Sequence, residues 1–205
     1  MKTNFLKTGL IAIFVIAFCV ANADTFHSTT VGGDWTDLDT WEENAVPSAS
    51  DDVIITSSST VYVDINNAEC YNITVETGAT LRNKNNQSRI LFIYGDIINN
   101  GIVTTPNSSL TLNIYGNIDN NGVWSNYSTN FTGLGSHTIT QGAGYKFSGE
   151  DFNAADTTGQ ITALSDITFD KTDIDLNGVT LIISEGKRLT VTGATEPGNA
   201  ILFKD

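Results

Sequence analysis

Carboxylates are the residues of this sequence best placed to do chemistry. Asp170, Asp173 and Asp175 lie within a six-residue stretch beside Lys171. Carboxylate oxygens are the ligands that Ca²⁺ prefers in proteins, and pairs of Asp or Glu side chains cleave glycosidic bonds. The three residues are therefore a candidate Ca²⁺ site, although no complete Asp-x-Asp-x-Asp-Gly loop contains them. A solvated acidic surface is the simpler interpretation, and we favour it over both metal binding and catalysis.

Other groups that could take part in catalysis are few. His27 lies near the N-terminus, and His137 lies in a predicted strand, where a solvent-facing side chain is expected. The sequence contains no Gly-x-Ser-x-Gly, His-Glu-x-x-His or Cys-x-x-Cys motif, and such motifs mark nucleophiles, metal sites and redox sites. We therefore expect no enzymatic activity and no cofactor, with Ca²⁺ as the one alternative.

An internal repeat indicates the architecture that positions these residues. Ile93–Val103 (IYGDIINNGIV) and Ile114–Trp124 (IYGNIDNNGVW) are identical at seven of eleven aligned positions, at an offset of 21 residues. A period of this length suits one coil of a β-solenoid. Alternate residues from Leu91 to Ile97 are small or aliphatic and are expected to point inward. The Asn-Asn-Gly that follows predicts a turn, because both residue types tolerate positive φ.

The predicted fold class is all-β, a right-handed single-stranded parallel β-helix of about seven coils. Short alternating strands also occur in a β-sandwich, which is the structural alternative. Sandwich strands have no reason to repeat side chains at a fixed spacing, so we favour the β-helix.

Stacking of coils at this offset brings like residues together. Asn99 and Asn100 should lie over Asn120 and Asn121, where aligned amides can form a structural ladder that fixes the register between coils. The alternative is that these residues serve the turn alone, without a side-chain ladder.

Tyr94 should likewise lie over Tyr115 on the outer face of the stack. Such an aromatic track is a candidate ligand-binding surface. The interpretation that we favour is that the two rings hold adjacent coils together.

The first 23 residues have the pattern of a signal peptide. Positive charge at Lys2 and Lys7 precedes the apolar run Leu10–Val20, and Ala21-Asn22-Ala23 follows it. The run is too short to span a membrane, so cleavage after Ala23 and export are expected, with no transmembrane segment. The cleaved chain keeps only Cys70, which excludes an internal disulfide.

The charge of the chain limits its partners. It has 23 acidic and 10 basic residues, a net charge of −13. Nucleic acids and anionic membranes are bound by clusters of Lys and Arg, so neither is an expected partner. Surface or extracellular glycans and proteins remain as candidate partners.

Residues 33–56 (GDWTDLDTWEENAVPSASDDVIIT) resemble the first segment of a known class of β-helical region. Large surface proteins of Bacteroidetes-type bacteria begin their β-helical regions similarly, with the pattern carried here by Trp35, Thr40, Trp41 and Val46-Pro47. The eight-glycine domain of animal surface proteins opens in a similar way. The resemblance implies a secreted or cell-surface, adhesin-like β-helix, and it implies no particular activity.

The opening also has a physical role of its own. The end coil of a solenoid exposes apolar residues and strand edges, which a cap must cover. Trp35, Trp41 and Pro47 are the predicted structural cap, within an N-terminal cap segment of residues 24–52. A sugar-stacking platform is the alternative role for the two tryptophans. The β-helix is predicted over residues 53–205 and is expected to be truncated, because the apolar stretch Ala200–Phe203 is followed by no cap.

These features predict a non-enzymatic, secreted or cell-surface β-helix that acts as a structural stalk or an adhesive module. One alternative is a fragment of a polysaccharide lyase or hydrolase. A second alternative is a carbohydrate-binding module.

Overall fold

The computed structural model describes residues 23–133, 135–154 and 159–193. The predicted signal peptide, apart from Ala23, and the apolar stretch Ala200–Phe203 lie outside these residues. No helix within the described ranges is long and apolar enough to cross a membrane.

The described chain is built from short β-strands and one 3-10 helix, Leu38–Thr40. The strands are β1 (Thr25–His27), β2 (Gly33–Asp34), β3 (Asp52–Ile55), β4 (Thr60–Val63), β5 (Ala68–Cys70), β6 (Ile73–Val75), β7 (Thr80–Asn83), β8 (Arg89–Ile93), β9 (Ile97–Asn99), β10 (Ile102–Thr104), β11 (Leu110–Ile114), β12 (Ile118–Asn120), β13 (Val123–Ser125), β14 (Ser128–Phe131), β15 (Ser136–Gln141), β16 (Asp151–Ala154), β17 (Gln160–Ala163), β18 (Ile167–Asp170), β19 (Asp173–Asp175), β20 (Thr180–Ile183) and β21 (Leu189–Thr192).

The strands stack into three parallel sheets that run along the molecule. The first sheet has the order β1-β3-β6-β9-β12-β15-β17-β20, and the third has the order β5-β8-β11-β14-β16-β19. The second contains β2-β4-β7-β10-β13 and continues to β18 and β21 through Phe147, which bridges Trp124 and Phe169. Each coil therefore contributes one segment to each sheet.

The predicted β-solenoid is thereby confirmed. Six coils are complete within the described residues, the first formed by β3, β4 and β5. Strands β20 and β21 begin a seventh coil, so the expected number of coils was close. Ile97 pairs with Ile118, and Asn99 with Asn120, at the 21-residue offset of the repeat.

The core is a column of side chains that point inward from the three sheets. Alternation along each strand places every second residue inside, as in β3, β4 and β7, where half-buried and buried residues alternate. The second sheet shows how the column changes along the molecule. Its buried, paired positions run from aliphatic residues to aromatic ones, in the order Val61, Leu81, Val103, Trp124, Phe147 and Phe169.

The N-terminal segment packs against the first coil. Trp35 and Trp41 are buried with their ring centroids 5.1 Å apart, and the Trp41 Nε1–H donates to the Trp35 carbonyl oxygen at 2.9 Å. Phe26 packs edge-on against Trp41, and Pro47 is also buried. Strands β1 and β2 pair with the first coil in two of the sheets. Buried indole faces offer no platform on which a sugar could stack.

The predicted amide ladder is present inside the first sheet. Asn99 and Asn120 are fully buried, and the Asn99 Nδ2 donates to the Asn120 Oδ1 at 2.9 Å and to the Val123 carbonyl oxygen at 2.9 Å. The neighbouring pair lies nearer the surface, where the Asn121 Nδ2 donates to the Asn100 Oδ1 at 3.3 Å. Both pairs link consecutive coils in register.

A longer ladder, which the sequence did not reveal, runs along the outside of the first sheet. At each step a side-chain Oδ1 accepts the backbone N–H of the equivalent residue in the next coil. Three of these hydrogen bonds are 2.8 Å long. The ladder consists of Asp52, Asn72, Asp96, Asn117 and Thr138. It connects five successive coils, and it assigns Asp96 a structural role.

The Asn-Asn-Gly turn has a different cause from the expected one. None of its residues in either repeat has a positive φ. Instead, a Cβ on Gly122 would lie 2.2 Å from the Gly101 carbonyl oxygen, and a Cβ on Gly101 would lie 2.4 Å from the Glu76 carbonyl oxygen. Glycine is required because the backbones of stacked coils approach each other too closely for any side chain.

Replacement of Gly122 by Ala should therefore destabilise the fold. The added methyl group must displace the backbone of the coil below, and overpacking of this kind costs about 1–3 kcal/mol. Urea unfolding followed by far-UV circular dichroism measures the loss. Asn121→Ala is the control, because it removes only the long contact with Asn100 and should cost less than about 1 kcal/mol. Equal losses in the two variants would contradict the close-approach explanation.

Candidate functional site

The two predicted tyrosines lie on the outer side of the third sheet. Tyr94 directly follows β8, and Tyr115 directly follows β11. Their ring centroids are 5.1 Å apart with an interplanar angle of 27°, which confirms the predicted stack. The Phe92 ring lies beside that of Tyr94, nearly parallel, at 6.4 Å.

The packing of these rings decides what they can offer to a ligand. One face of Tyr94 is covered by Tyr115, and the backbone of Gly133 lies close against the Tyr115 ring. The Tyr94 hydroxyl donates to the Glu69 Oε1 at 3.3 Å. Burial, followed by the negative charge of Glu69, raises the pKa of Tyr94. Rings whose faces are covered in this way suit contact between coils better than stacking on a sugar.

A second amide ladder lies on the same outer face. The Asn130 Nδ2 donates to the Asn113 Oδ1 at 2.8 Å, and the Asn153 Nδ2 donates to the Asn130 Oδ1 at 3.1 Å. The sequence separations are 17 and 23 residues. A search for residues at the fixed offset of 21 could not find this ladder. The ladder could have been found only if β14 and β16 had been paired through the alternation of buried and half-buried residues along them.

The three carboxylates of the candidate Ca²⁺ site are not brought together. Asp170 ends a strand of the second sheet, whereas Asp173 and Asp175 lie on β19 in the third sheet. The Asp170 carboxylate pairs with Lys146 and accepts from the Thr192 hydroxyl at 2.8 Å. The hydrogen bond from Lys146, followed by that from Thr192, lowers the pKa of Asp170. Within the described ranges, no three His, Cys, Asp or Glu side chains form a group that could hold a metal ion.

Asp173 instead faces another carboxylate. It is the register partner of Asp151 on the neighbouring strand, and Glu150 is adjacent. Burial, followed by the charges of Glu150 and Asp173, raises the pKa of Asp151. The three acids therefore form a site of mutual repulsion on the outer surface.

Relief of this repulsion should stabilise the protein. Because the pKa of Asp151 is raised on folding, wild type loses stability as the pH rises past the ordinary Asp pKa of about 4. Asp151→Asn should remove that loss and add roughly 0.2–1 kcal/mol at pH 7, with no gain at pH 3. Urea unfolding at the two pH values measures the difference. Asp39→Asn, at an exposed position of the cap, should change neither value, and a gain there of equal size would contradict the local explanation.

Both histidines have structural partners. His137 was expected to face solvent, but it points inward and is only 7% exposed. Its Nδ1 lies 2.8 Å from the Gly116 carbonyl oxygen, and its ring lies 5.1 Å from that of Phe131. The interior accepts this polar ring because a backbone carbonyl satisfies its hydrogen bond. The His27 Nδ1 lies 3.0 Å from a carboxylate oxygen of Glu43.

A surface groove of about 490 Å³ lies among the described residues, and sequence reasoning missed it. It is lined by Ser88, the loop of residues 105–109 and Tyr127, and we call it the corner groove. It lies where the chain turns from the second sheet into the third, in coils two to four. The lengths of equivalent loops in successive coils could have indicated this groove. Five residues separate β10 from β11, whereas only two separate β13 from β14.

Most of these coils lie in a segment that matches the sequence model of a known domain family. The sequence model of the G8 domain matches residues 40–149. This match covers more than half of the chain. The chain belongs to the G8 domain family. No match was found among curated proteins or among solved structures.

The G8 region begins at the end of the 3-10 helix and includes the first four coils and part of the fifth. It therefore contains the tyrosine stack, both Asn pairs of the 21-residue repeat and the corner groove. The predicted similarity to the eight-glycine domain is confirmed. The similarity to bacterial adhesin-like surface proteins stays a prediction.

Proposed function

We propose that this G8 protein is a non-enzymatic, exported β-solenoid that acts as a structural stalk or an adhesive module. The observation that carries the proposal is the ladder from Asp52 to Thr138, which ties five coils to one another by side-chain hydrogen bonds in addition to the sheets. Such a column is extended and presents continuous faces that are built from successive coils.

The charge and the N-terminal sequence support the same proposal. The net charge of −13 keeps a rod of this kind soluble and separate from other copies. The signal-like residues 1–23 support export, and secretion or display at the cell surface is the localisation that we propose. Surface or extracellular glycans and proteins are the proposed partners.

A two-part assay on the purified chain tests the proposal. In the first part, the protein is incubated with neutral and acidic polysaccharides, and new reducing ends and unsaturated products are measured. In the second part, protein-coated beads are allowed to settle on surfaces coated with the same polysaccharides or with extracellular proteins, and the beads that remain after a wash are counted.

We expect retained beads on at least one surface and no product in solution. Product formation that disappears in Asp170→Asn but persists in Asp39→Asn would overturn the proposal and favour a polysaccharide lyase or hydrolase. Asp170 is the informative position because it lies beside a cation, Lys146. A failure of bead retention on every surface would remove the adhesive role and leave only the stalk.

A further inference from the structure

We infer that the corner groove is a binding site for a short, uncharged saccharide. This inference rests on the adhesive role proposed above and gives it a location. The groove extends over about two coil spacings, roughly 9–10 Å, from Ser88 in the second coil to Tyr127 in the fourth. It is a shallow depression that is open to solvent, with a volume of about 490 Å³.

The groove arises from a step in the length of successive corners. The loop of residues 105–109 projects from the third coil, whereas the fourth coil turns the same corner with only Asn126 and Tyr127. The projecting loop therefore forms a wall beside Tyr127. The Thr105 Oγ1 fixes this arrangement, since it accepts the backbone N–H of Leu110 at 3.0 Å and that of Tyr127 at 3.2 Å.

The lining has the chemistry that a sugar requires. Serine and threonine hydroxyls and the Asn107 amide can each donate and accept hydrogen bonds, which matches the hydroxyl groups of a saccharide. Both lone pairs of the Thr105 hydroxyl are used by backbone N–H groups, so its proton remains to donate. Tyr127 is 38% exposed and supplies an amphipathic ring, and Pro106 adds an apolar surface.

Charge favours a neutral ligand over an acidic one. The groove lining contains no Asp, Glu, Lys, Arg or His. The basic residues nearest in sequence have protein partners: Arg82 donates to Asn85, and Lys84 pairs with Asp34. Arg89 borders the groove, but its guanidinium donates to the Gln87 side chain and to the Ser88 carbonyl oxygen. A chain with a net charge of −13 repels uronic-acid polymers.

Binding of the purified chain to an array of defined oligosaccharides tests the inference. The array carries xylo-, manno- and gluco-oligosaccharides of four to six units, with hyaluronan and alginate fragments as acidic counterparts. The best neutral probe is then titrated by calorimetry against wild type, Tyr127→Ala and Tyr145→Ala. Tyr145 is the matched control because it is 42% exposed but lies on a different loop. The urea midpoint of each variant verifies that the fold is intact.

We expect a neutral probe to bind, Tyr127→Ala to weaken binding by about tenfold or more, and Tyr145→Ala to leave it unchanged. Asn107→Ala, on the exposed loop, should also weaken binding. A blank array, or binding that all three variants retain, would overturn the inference. Binding confined to acidic probes would overturn it too. If beads are retained in the assay above while the array stays blank, the groove assignment fails and the adhesive role stands.

Discussion

Replacement of Asn99 by Asp should lower the free energy of unfolding by about 3–5 kcal/mol at neutral pH. Asn99 is fully buried, and its Nδ2 donates to both the Asn120 Oδ1 and the Val123 carbonyl oxygen. In the variant, a carboxylate oxygen faces these two acceptors. No cation in the described part of the chain contacts this side chain. The buried negative charge is then uncompensated.

Urea unfolding at pH 7 and pH 3 measures this effect. The loss in free energy of unfolding relative to wild type should be smaller at pH 3, because the protonated carboxyl of the variant has one O–H donor. Asn100→Asp is the matched control, as it makes the same chemical change one residue along, on the half-buried outer side. Its oxygen can still accept from the Asn121 Nδ2, so a loss below about 1 kcal/mol is expected. Similar losses of stability at both positions would show that the buried Asn99–Asn120 pair contributes no more to stability than the Asn100–Asn121 pair.

Removal of the cap residue Trp41 should be about as damaging. Trp41→Ala removes a buried indole that packs on Trp35 and Phe26, and truncations of this size cost about 3–5 kcal/mol. It also leaves the Trp35 carbonyl oxygen without its indole donor. The uncovered first coil presents apolar residues and strand edges, so self-association should accompany the loss of stability.

Urea unfolding and light scattering at increasing protein concentration measure the two effects. Leu38→Ala is the control, because this leucine belongs to the same cap segment but is 48% exposed. It should change stability by no more than about 0.5 kcal/mol. A Trp41→Ala protein of unchanged stability and unchanged monomeric state would remove the capping role.

The fold could be predicted from the sequence because two coils retained the same residues at the same spacing. Tyr94 and Tyr115, and the two Asn pairs, follow directly from the 21-residue offset, and all are stacked as predicted. The cap was predictable for a different reason. Every solenoid needs its end covered, and large aromatic side chains before the first strand are suited to that task.

The features that could not be predicted depend on differences between coils in length and in the positions of their turns. The outer ladder from Asn113 to Asn153 joins coils of unequal length, so no constant spacing marks it. The three aspartates of the candidate Ca²⁺ site are close in sequence, but Lys171, with φ of 59°, turns the chain from one sheet into the next between them. Proximity in sequence does not give proximity of side chains where a corner intervenes.

The ladders also set how this protein would respond to a tensile load. Each coil pairs with the coils before and after it, and the hydrogen bonds that join them lie along the axis of the stack. A pull on the two ends therefore loads the bonds of one terminal coil at a time, while the remaining coils keep their pairing. Extension would proceed as a series of small steps, in which an elongated, partly peeled rod still holds its inner coils together.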